Sequence, residues 1–311
     1  MLNPSKIQVT DNILDYRAVA TKYGVTCDNP VVPTHVVTMV VENVSCVLVN
    51  ALRCIMYGYI PTKRFDNVTV KTTDGMVIRE HVCNRIQFVI LSRKCPLGKV
   101  NLSIVHDSVK KNPIIINSNM MKDLSKYLNP TYLCAIKQGA IIEITADVEE
   151  DTYANIRHVK HNFLSNFSRN IISHDDKGIN IDDLPCISIE YNTGTVRAIY
   201  QDDISGEDVL ILSKKIIVDL FTHLQQMYVE ENREYFTLAL DTVILRIKGD
   251  YSGILANLLF VYIFSVDSTH TLCDYVDHSD SSLEIKNITQ KEVHPLIKSA
   301  IDLIIKHVET L

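Results

Sequence analysis

Residues 50–62 read NALRCIMYGYIPT, and a second stretch, ANLLFVYIFSV at 256–266, repeats its plan. Each sets an asparagine beside a small apolar block that runs on into bulky aliphatic residues. In the first, Val47, Leu48, Ala51, Leu52 and Ile55 recur at helical spacing, which predicts a helix over 46–57. Pro61 ends it by pushing Ile60 out of the α region. Between 46 and 56 only Asn50 and Arg53 are polar, so more than one face of this helix needs cover. A small sheet on one side cannot supply that cover; a second layer of helices is required. The segment 254–264, apolar almost all round, is the obvious partner. Neither stretch carries a catalytic group.

Outward from the first stretch, His35 to Val41 is rich in β-branched residues, and Val68 and Val70 alternate with polar neighbours as in a half-buried strand. From about 92 the texture changes to Asn, Asp, Lys and Ser, with one clear strand in which Ile142, Ile144, Ala146 and Val148 share a face. At Cys186 the apolar strand pattern returns (Ile187, Ile189, Tyr191), with a turn expected at Asn192–Gly194. A long helix follows over 208–228, with a seam of Val209, Leu212, Ile216, Leu220, Leu224 and Met227. Ser205, three residues before Asp208, resembles a capping arrangement at its start. The polar run VEENRE at 229–234 reads as a linker. Beyond it come a strand (Val243, Leu245, Ile247), the helix around Asn257, a strand near 283–285 and a terminal helix faced by Leu296, Ile297, Ala300, Ile301, Ile304 and Ile305. Strand, helix, strand, long helix is the order of the first block with its return segment, so the chain contains an internal repeat. The division expected is 1–91 with 186–232 as a first domain, 92–185 as an insert, and 233–311 as a second, small domain.

Composition narrows the function. The 311 residues are 46% hydrophobic and 22% charged, with a net charge of −6. A protein gripping DNA or RNA over a wide surface needs excess positive charge, because phosphate contacts dominate such binding. Little or no direct nucleic-acid contact is therefore expected. MLNPSKIQVTDNILDYR has no basic segment followed by an apolar one, and no run of 18 apolar residues occurs, so neither a signal peptide nor a membrane span is read. The eight cysteines are scattered, several inside apolar runs, which fits a reducing, intracellular compartment.

The candidates for chemistry are weak. His158-Val159-Lys160-His161 and His278-Ser279-Asp280 lack companion ligands at zinc-like spacing, and no Cys-x-x-Cys occurs. The acidic pairs Glu149-Glu150, Asp175-Asp176, Asp182-Asp183 and Asp202-Asp203 read as solvated turns, since no phosphate-binding loop accompanies them. No catalytic residue, metal ligand or cofactor is assigned.

Ser45 to Thr62, SCVLVNALRCIMYGYIPT, resembles the assembly motif of the α-like subunits of multisubunit RNA polymerases. That signature runs Asn-Ala-Leu-Arg-Arg, several apolar residues, then Ile/Val-Pro-Thr. A strand and an acidic-x-x-x-x-Arg segment follow it, here Phe65–Val70 and Glu80 to Arg85. Ala135-Ile136-Lys137-Gln138-Gly139 through Ala146 is similar to a strand of the family's inserted domain, and Ile187–Thr195 with the helix at 208–228 to its closing strand and helix. The last block resembles the small α-like partner, with Gly249 to Leu259 in place of its helix-opening motif and Asp274-Tyr275-Val276-Asp277-His278 in place of a Gly-Tyr-x-x-Pro-His segment.

The resemblance implies an α+β fold: two α-like dimerisation modules, each a small antiparallel sheet packed on helices, forming an intramolecular pseudo-dimer with a mainly-β insert in the first. It implies a non-catalytic assembly platform that docks the largest and second-largest polymerase subunits together with a small subunit. The interface residues would be Asn50, Ala51, Leu52, Arg53, Ile60, Pro61, Thr62, Glu80, Arg85, Asn257, Leu258 and Leu259. Carrying both partners in one polypeptide is the arrangement expected of a large DNA virus, which places the protein in host cytoplasm and virion. Three departures stand out. Cys54 replaces the motif's second arginine, Phe260 stands where a basic residue commonly follows, and the insert's two cysteines, Cys95 and Cys134, are too few for the metal centres of some relatives. The competing readings are a free-standing metal-dependent enzyme built on the His and acidic clusters, and a scaffold unconnected with transcription.

Overall fold

A computed structural model describes residues 6–26, 30–107, 112–151, 168–170, 191–229, 236–238, 242–248, 252–267, 271–276, 280–286 and 290–311. The chain opens with β1 (Lys6–Ile13), a short α1 (Tyr16–Lys22), β2 (Thr34–Ser45) and α2 (Cys46–Gly58). Next come β3 (Thr62–Thr72), α3 (Arg79–Gln87), β4 (Gly98–Val105), β5 (Ile114–Asn117), β6 (Tyr132–Ile136) and β7 (Ile141–Asp151). Then follow β8 (Ser168–Asn170), β9 (Tyr191–Gln201), α4 (Gly206–Val229), β10 (Phe236–Leu238) and β11 (Thr242–Lys248). The chain closes with α5 (Ser252–Val266), β12 (Thr271–Val276), β13 (Asp280–Lys286) and α6 (Gln290–Thr310). The fold class is α+β, with small antiparallel sheets and helices.

The internal repeat is complete at the level of topology. One sheet has the order β1-β2-β9-β8 and another β10-β11-β13-β12, all neighbours antiparallel. In each, the second strand leads into an apolar helix (α2 or α5), and the strand paired beside it leads into a long helix (α4 or α6). The two halves share one core. Val37, Met39, Leu48, Leu52, Ile55, Ile217 and Phe221 of the first lie in the same buried cluster as Val243, Leu258, Leu259, Ile285, Ile297 and Ile304 of the second. Equivalent elements meet across it: α2 packs on α5, and α4 packs on α6.

Local sequence explains these elements. In β2, Val37, Met39 and Val41 turn inward at a spacing of two, and β-branched neighbours keep the strand extended. The last helical turn of α2 is closed by the Tyr59 N–H donating to the Ile55 carbonyl (2.9 Å), two residues before Pro61. α5 buries Leu255, Ala256, Leu258, Leu259, Val261, Tyr262 and Ile263, so it is covered on nearly every side, as an all-apolar helix demands. At the start of α4, Asp208 N–H donates to Ser205 Oγ (3.2 Å), capping the helix, and the Ser205 hydroxyl donates in turn to the Asp208 carboxylate (2.7 Å).

Several boundaries differ from those read in the sequence. The insert begins at Thr62, not at 92. β3 pairs with β7 from Thr62↔Asp151 to Thr72↔Ile142, and Phe65, Val70, Val82, Ile86, Val89 and Leu91 are buried with Ile142, Ile144 and Val148 in a second core. A strand whose partner lies some eighty residues on carries no local mark of which sheet it joins. Besides the strand foreseen at 142–148, the insert holds β4 beside β7 and the pair β5–β6. Its far boundary also moves, because β8 belongs to the first sheet. Asn192–Gly194 is not a turn; it continues β9, with Gly194 opposite Val41. The buried line of α4 is Val209, Leu210, Ser213, Ile217 and Phe221, with Leu212, Ile216, Leu220, Leu224 and Met227 half-buried beside it. Packing on α2 and α6 together makes a stripe wider than a single seam. The linker at 230–234, the turn at 249–250, the strand start at 187–189, the histidines at 158, 161 and 278 and the acidic pairs at 175–176 and 182–183 lie outside the described residues.

Candidate assembly surface

On α2 the residues singled out divide by face. Ala51 and Leu52 are buried in the shared core. Asn50 and Arg53, one turn apart, are half-buried and tied together: Arg53 Nε donates to Asn50 Oδ1 (3.1 Å), and Arg53 Nη2 reaches the Cys54 sulfur (3.6 Å). The arginine is thus held along its own helix. The Cys54 sulfur supplies a soft acceptor beside the guanidinium.

α5 brings up the equivalent residues. Leu258 and Leu259 are fully buried, whereas Asn257 is exposed. Asn50 and Asn257 line one cleft of about 260 Å³ along the α2–α5 seam, with Val47, Ala51, Cys54, Tyr59, Gly253 and Ile254. The two asparagines quoted at the head of the two matching stretches therefore face a common groove. Its floor is apolar and its rim offers amide donors and acceptors.

Ile60 is buried in the shared core, Pro61 is half-buried, and Thr62 opens β3 opposite Asp151. Glu80 and Arg85, expected in the first domain, lie instead on α3 of the insert. Glu80 is exposed. Arg85 Nη1 donates to the Leu133 carbonyl (2.6 Å), and its guanidinium carbon sits 5.0 Å from the centre of the Tyr132 ring. α2 and α5 thus bring Asn50, Arg53 and Asn257 to one surface, while Glu80 and Arg85 belong to another that rests on a separate core.

The acidic pairs are not all solvated turns. Glu149 and Glu150 are outward-facing strand residues on β7, with Glu150 accepting from Lys63 Nζ at 3.3 Å. Asp202 is 3% exposed and held bidentately by Arg93, Nε to Oδ1 at 2.8 Å and Nη2 to Oδ2 at 2.9 Å. Burial pushes its carboxyl above the ordinary range, against the pull of the Arg93 hydrogen bonds and charge. Nothing adjacent in sequence marks this pair, because Arg93 arrives from 109 residues away. A neighbouring node was missed for the same reason. His35 Nδ1 lies 2.9 Å from both Asp11 carboxylate oxygens, its ring stacks on Tyr200, and Asp11 Oδ2 also accepts from the first amide of α4, Gly206 N (2.6 Å).

Among the described residues, no three His, Cys, Asp or Glu side chains come close enough together to hold a metal ion. No described helix is long and apolar enough to cross a membrane. Cys95 is buried, which pushes its thiol up to about 11, and burial likewise raises Cys134. No protein-family model matches the chain, and no curated protein matches it in sequence.

Proposed function

We propose that this protein is a non-catalytic assembly subunit of a DNA-directed RNA polymerase, carrying both halves of an α-like pair in one polypeptide. The observation that supports this reading best is the like-with-like contact of repeated elements, α2 on α5 and α4 on α6. Two copies related by a two-fold axis meet through the same patch, so equivalent elements touch each other. Here the NALR helix and its ANLL counterpart do so inside one chain, as an intramolecular pseudo-dimer. Fusion makes the pairing intramolecular, at an effective concentration on the order of millimolar, and holds the halves at one to one.

In this reading the partners are the largest and second-largest polymerase subunits, with a small subunit, and the chemistry resides in those large chains. The net charge of −6 speaks for a platform that grips protein rather than nucleic acid. A large DNA virus, with the protein in host cytoplasm and virion, is the setting that suits the fused arrangement.

The test is affinity purification of the tagged chain from cells that express it, with co-purifying proteins identified by mass spectrometry. The unaltered chain should bring down two large polymerase subunits. Arg53→Ala removes the half-buried bonds to Asn50 and Cys54 within α2, which costs the fold about 0.5–1.5 kcal/mol, whereas a docking arginine at a hot spot is worth ~2 kcal/mol or more, about thirtyfold in affinity. Recovery of the large subunits should therefore fall steeply while the melting temperature moves by a few degrees. An unaltered chain that captures no polymerase subunit would refute the proposal, whatever else it captured.

A further inference from the structure

The two hydrophobic cores share no residue. One holds both repeated halves; the other lies wholly within the insert, from Phe65 to Val148. Among the described residues, no helix or strand of the insert makes an extended packing contact with an element of either half. The chain enters the insert through a short stem, from Ile60 in one core to Phe65 in the other, and leaves it after β7, whose Asp151 pairs with Thr62 beside that stem. Units joined in this way move relative to each other unless something else holds them.

Among the described residues, the hydrogen bonds and ion pairs between them are concentrated in one place. On the insert, the segments 90–93 and 127–129 are laced together: Ser92 N–H donates to the Tyr127 carbonyl (2.6 Å), and Asn129 N–H to the Ile90 carbonyl (3.2 Å). Facing them are Val32 and Pro33, which precede β2, and Asp202 and Asp203, which follow β9. These four are themselves tied, since Asp202 N–H donates to the Pro33 carbonyl (3.2 Å). Two arms cross the gap. Asn129 Oδ1 accepts from Val32 N–H (2.8 Å) while its Nδ2 donates to the Val32 carbonyl (3.4 Å), as a strand neighbour would. Arg93 chelates Asp202, and Asp203 Oδ2 accepts from Arg93 N–H (2.9 Å) and from the Ser92 hydroxyl.

We infer that this Arg93–Asp202/Asp203 and Asn129–Val32 contact is a latch that fixes the insert's angle on the repeated halves, and that its release lets the insert swing about the stem at 60–62. Each group in it is matched: Arg93 to a buried carboxylate, Asn129 to both polar groups of one peptide. A buried ion pair contributes little to net stability but sets geometry strongly, because any other placement leaves a charge unpaired. Its consequence for assembly rests on the function proposed above. The α2–α5 groove belongs to the repeated halves and the α3 face to the insert, so a latch joining the two units would set the spacing between two docking sites.

Amide exchange on the isolated chain tests the latch without reference to any partner. Arg93→Ala should speed exchange at least tenfold across 92–95 and 202–206, leave β2 and β7 protected within about twofold, and enlarge the particle in small-angle scattering. Because Arg93→Ala strands a buried carboxylate at a cost to folding, the double variant Arg93→Met/Asp202→Asn, which removes both charges, is measured beside it with the same expectation. Unchanged exchange in the double variant would overturn the latch. So would simultaneous loss of protection in β2 and β7, since the two cores would then be one cooperative unit. Captured polymerase subunits from the same variants report separately on the docking reading.

Discussion

Leu258→Ala puts the shared core to a quantitative test. Leu258 is fully buried on α5, within the cluster that also contains Leu48, Leu52 and Ile55 of α2. Truncation removes about three methylene equivalents at about 0.8 kcal/mol each, or ~2.4 kcal/mol. The cavity left in a core enclosed on nearly every side adds to this, and a total of about 3–4 kcal/mol is expected. With a urea dependence of about 2–3 kcal/mol per molar, the midpoint of the corresponding transition falls by about 1–2 M. The assay is urea unfolding followed by far-ultraviolet circular dichroism, with amide exchange to locate the loss. Protection should fall in β2 and α2 as well as in β11, α5 and α6, although the mutation lies in the last part of the chain. The insert's β7 should keep its protection, because its core is separate. A loss below about 1 kcal/mol, or weakening confined to 242–311, would refute the claim that the two halves form one core.

Two further outcomes follow from the same geometry. At Gly206 a Cβ would stand 2.6 and 2.7 Å from the two methyl groups of buried Val37, which is β-branched and has no room to turn, whereas at Gly253 a Cβ meets nothing within 4 Å. Gly206→Ala should therefore lower stability by about 1–3 kcal/mol and Gly253→Ala raise it by about 0.5–1 kcal/mol; thermal melts of the same sign would contradict this. His307, whose Nδ1 lies 3.1 Å from the Tyr262 hydroxyl, has its pKa lowered by burial and then by Lys306. The folded state thus binds its proton less readily than the unfolded state, so this stability is full above the ordinary value of 6.5 and is lost as pH falls through and below it. Replacing His307 with Gln should flatten that part of the pH–stability curve, and an unchanged slope would exclude His307 as its source.

The four longest helices were legible because their signals are local, whereas the short α1 and the largely polar α3 were not read from the sequence. α2, α5 and α6 each carry apolar residues at helical spacing, and Pro61 and the Ser205–Asp208 cap mark ends within a few residues of the groups they act on. The repeat was legible as an order of elements, and the near absence of a polar face on α5 required a second helix layer. Of the surface residues, Asn50, Arg53 and Asn257 stood out as polar interruptions of apolar runs, and tertiary packing brings them to one surface.

The insert's true start, the extension of β9 through Asn192–Gly194, and the buried role of Asp202 were decided only by tertiary structure. Each depends on a partner far along the chain: β7 for β3, β2 for β9, Arg93 for Asp202. A carboxylate pair in a polar stretch looks the same whether it meets water or a guanidinium, since desolvation is a property of place rather than of composition. The sequence by itself thus determined that four long segments are helical, that α2 and α5 need cover on more than one face, and that a pattern is used twice. Tertiary structure alone decided which strands share a sheet and where the polar latch falls, because both are set by long-range pairing that leaves no periodic trace in the chain.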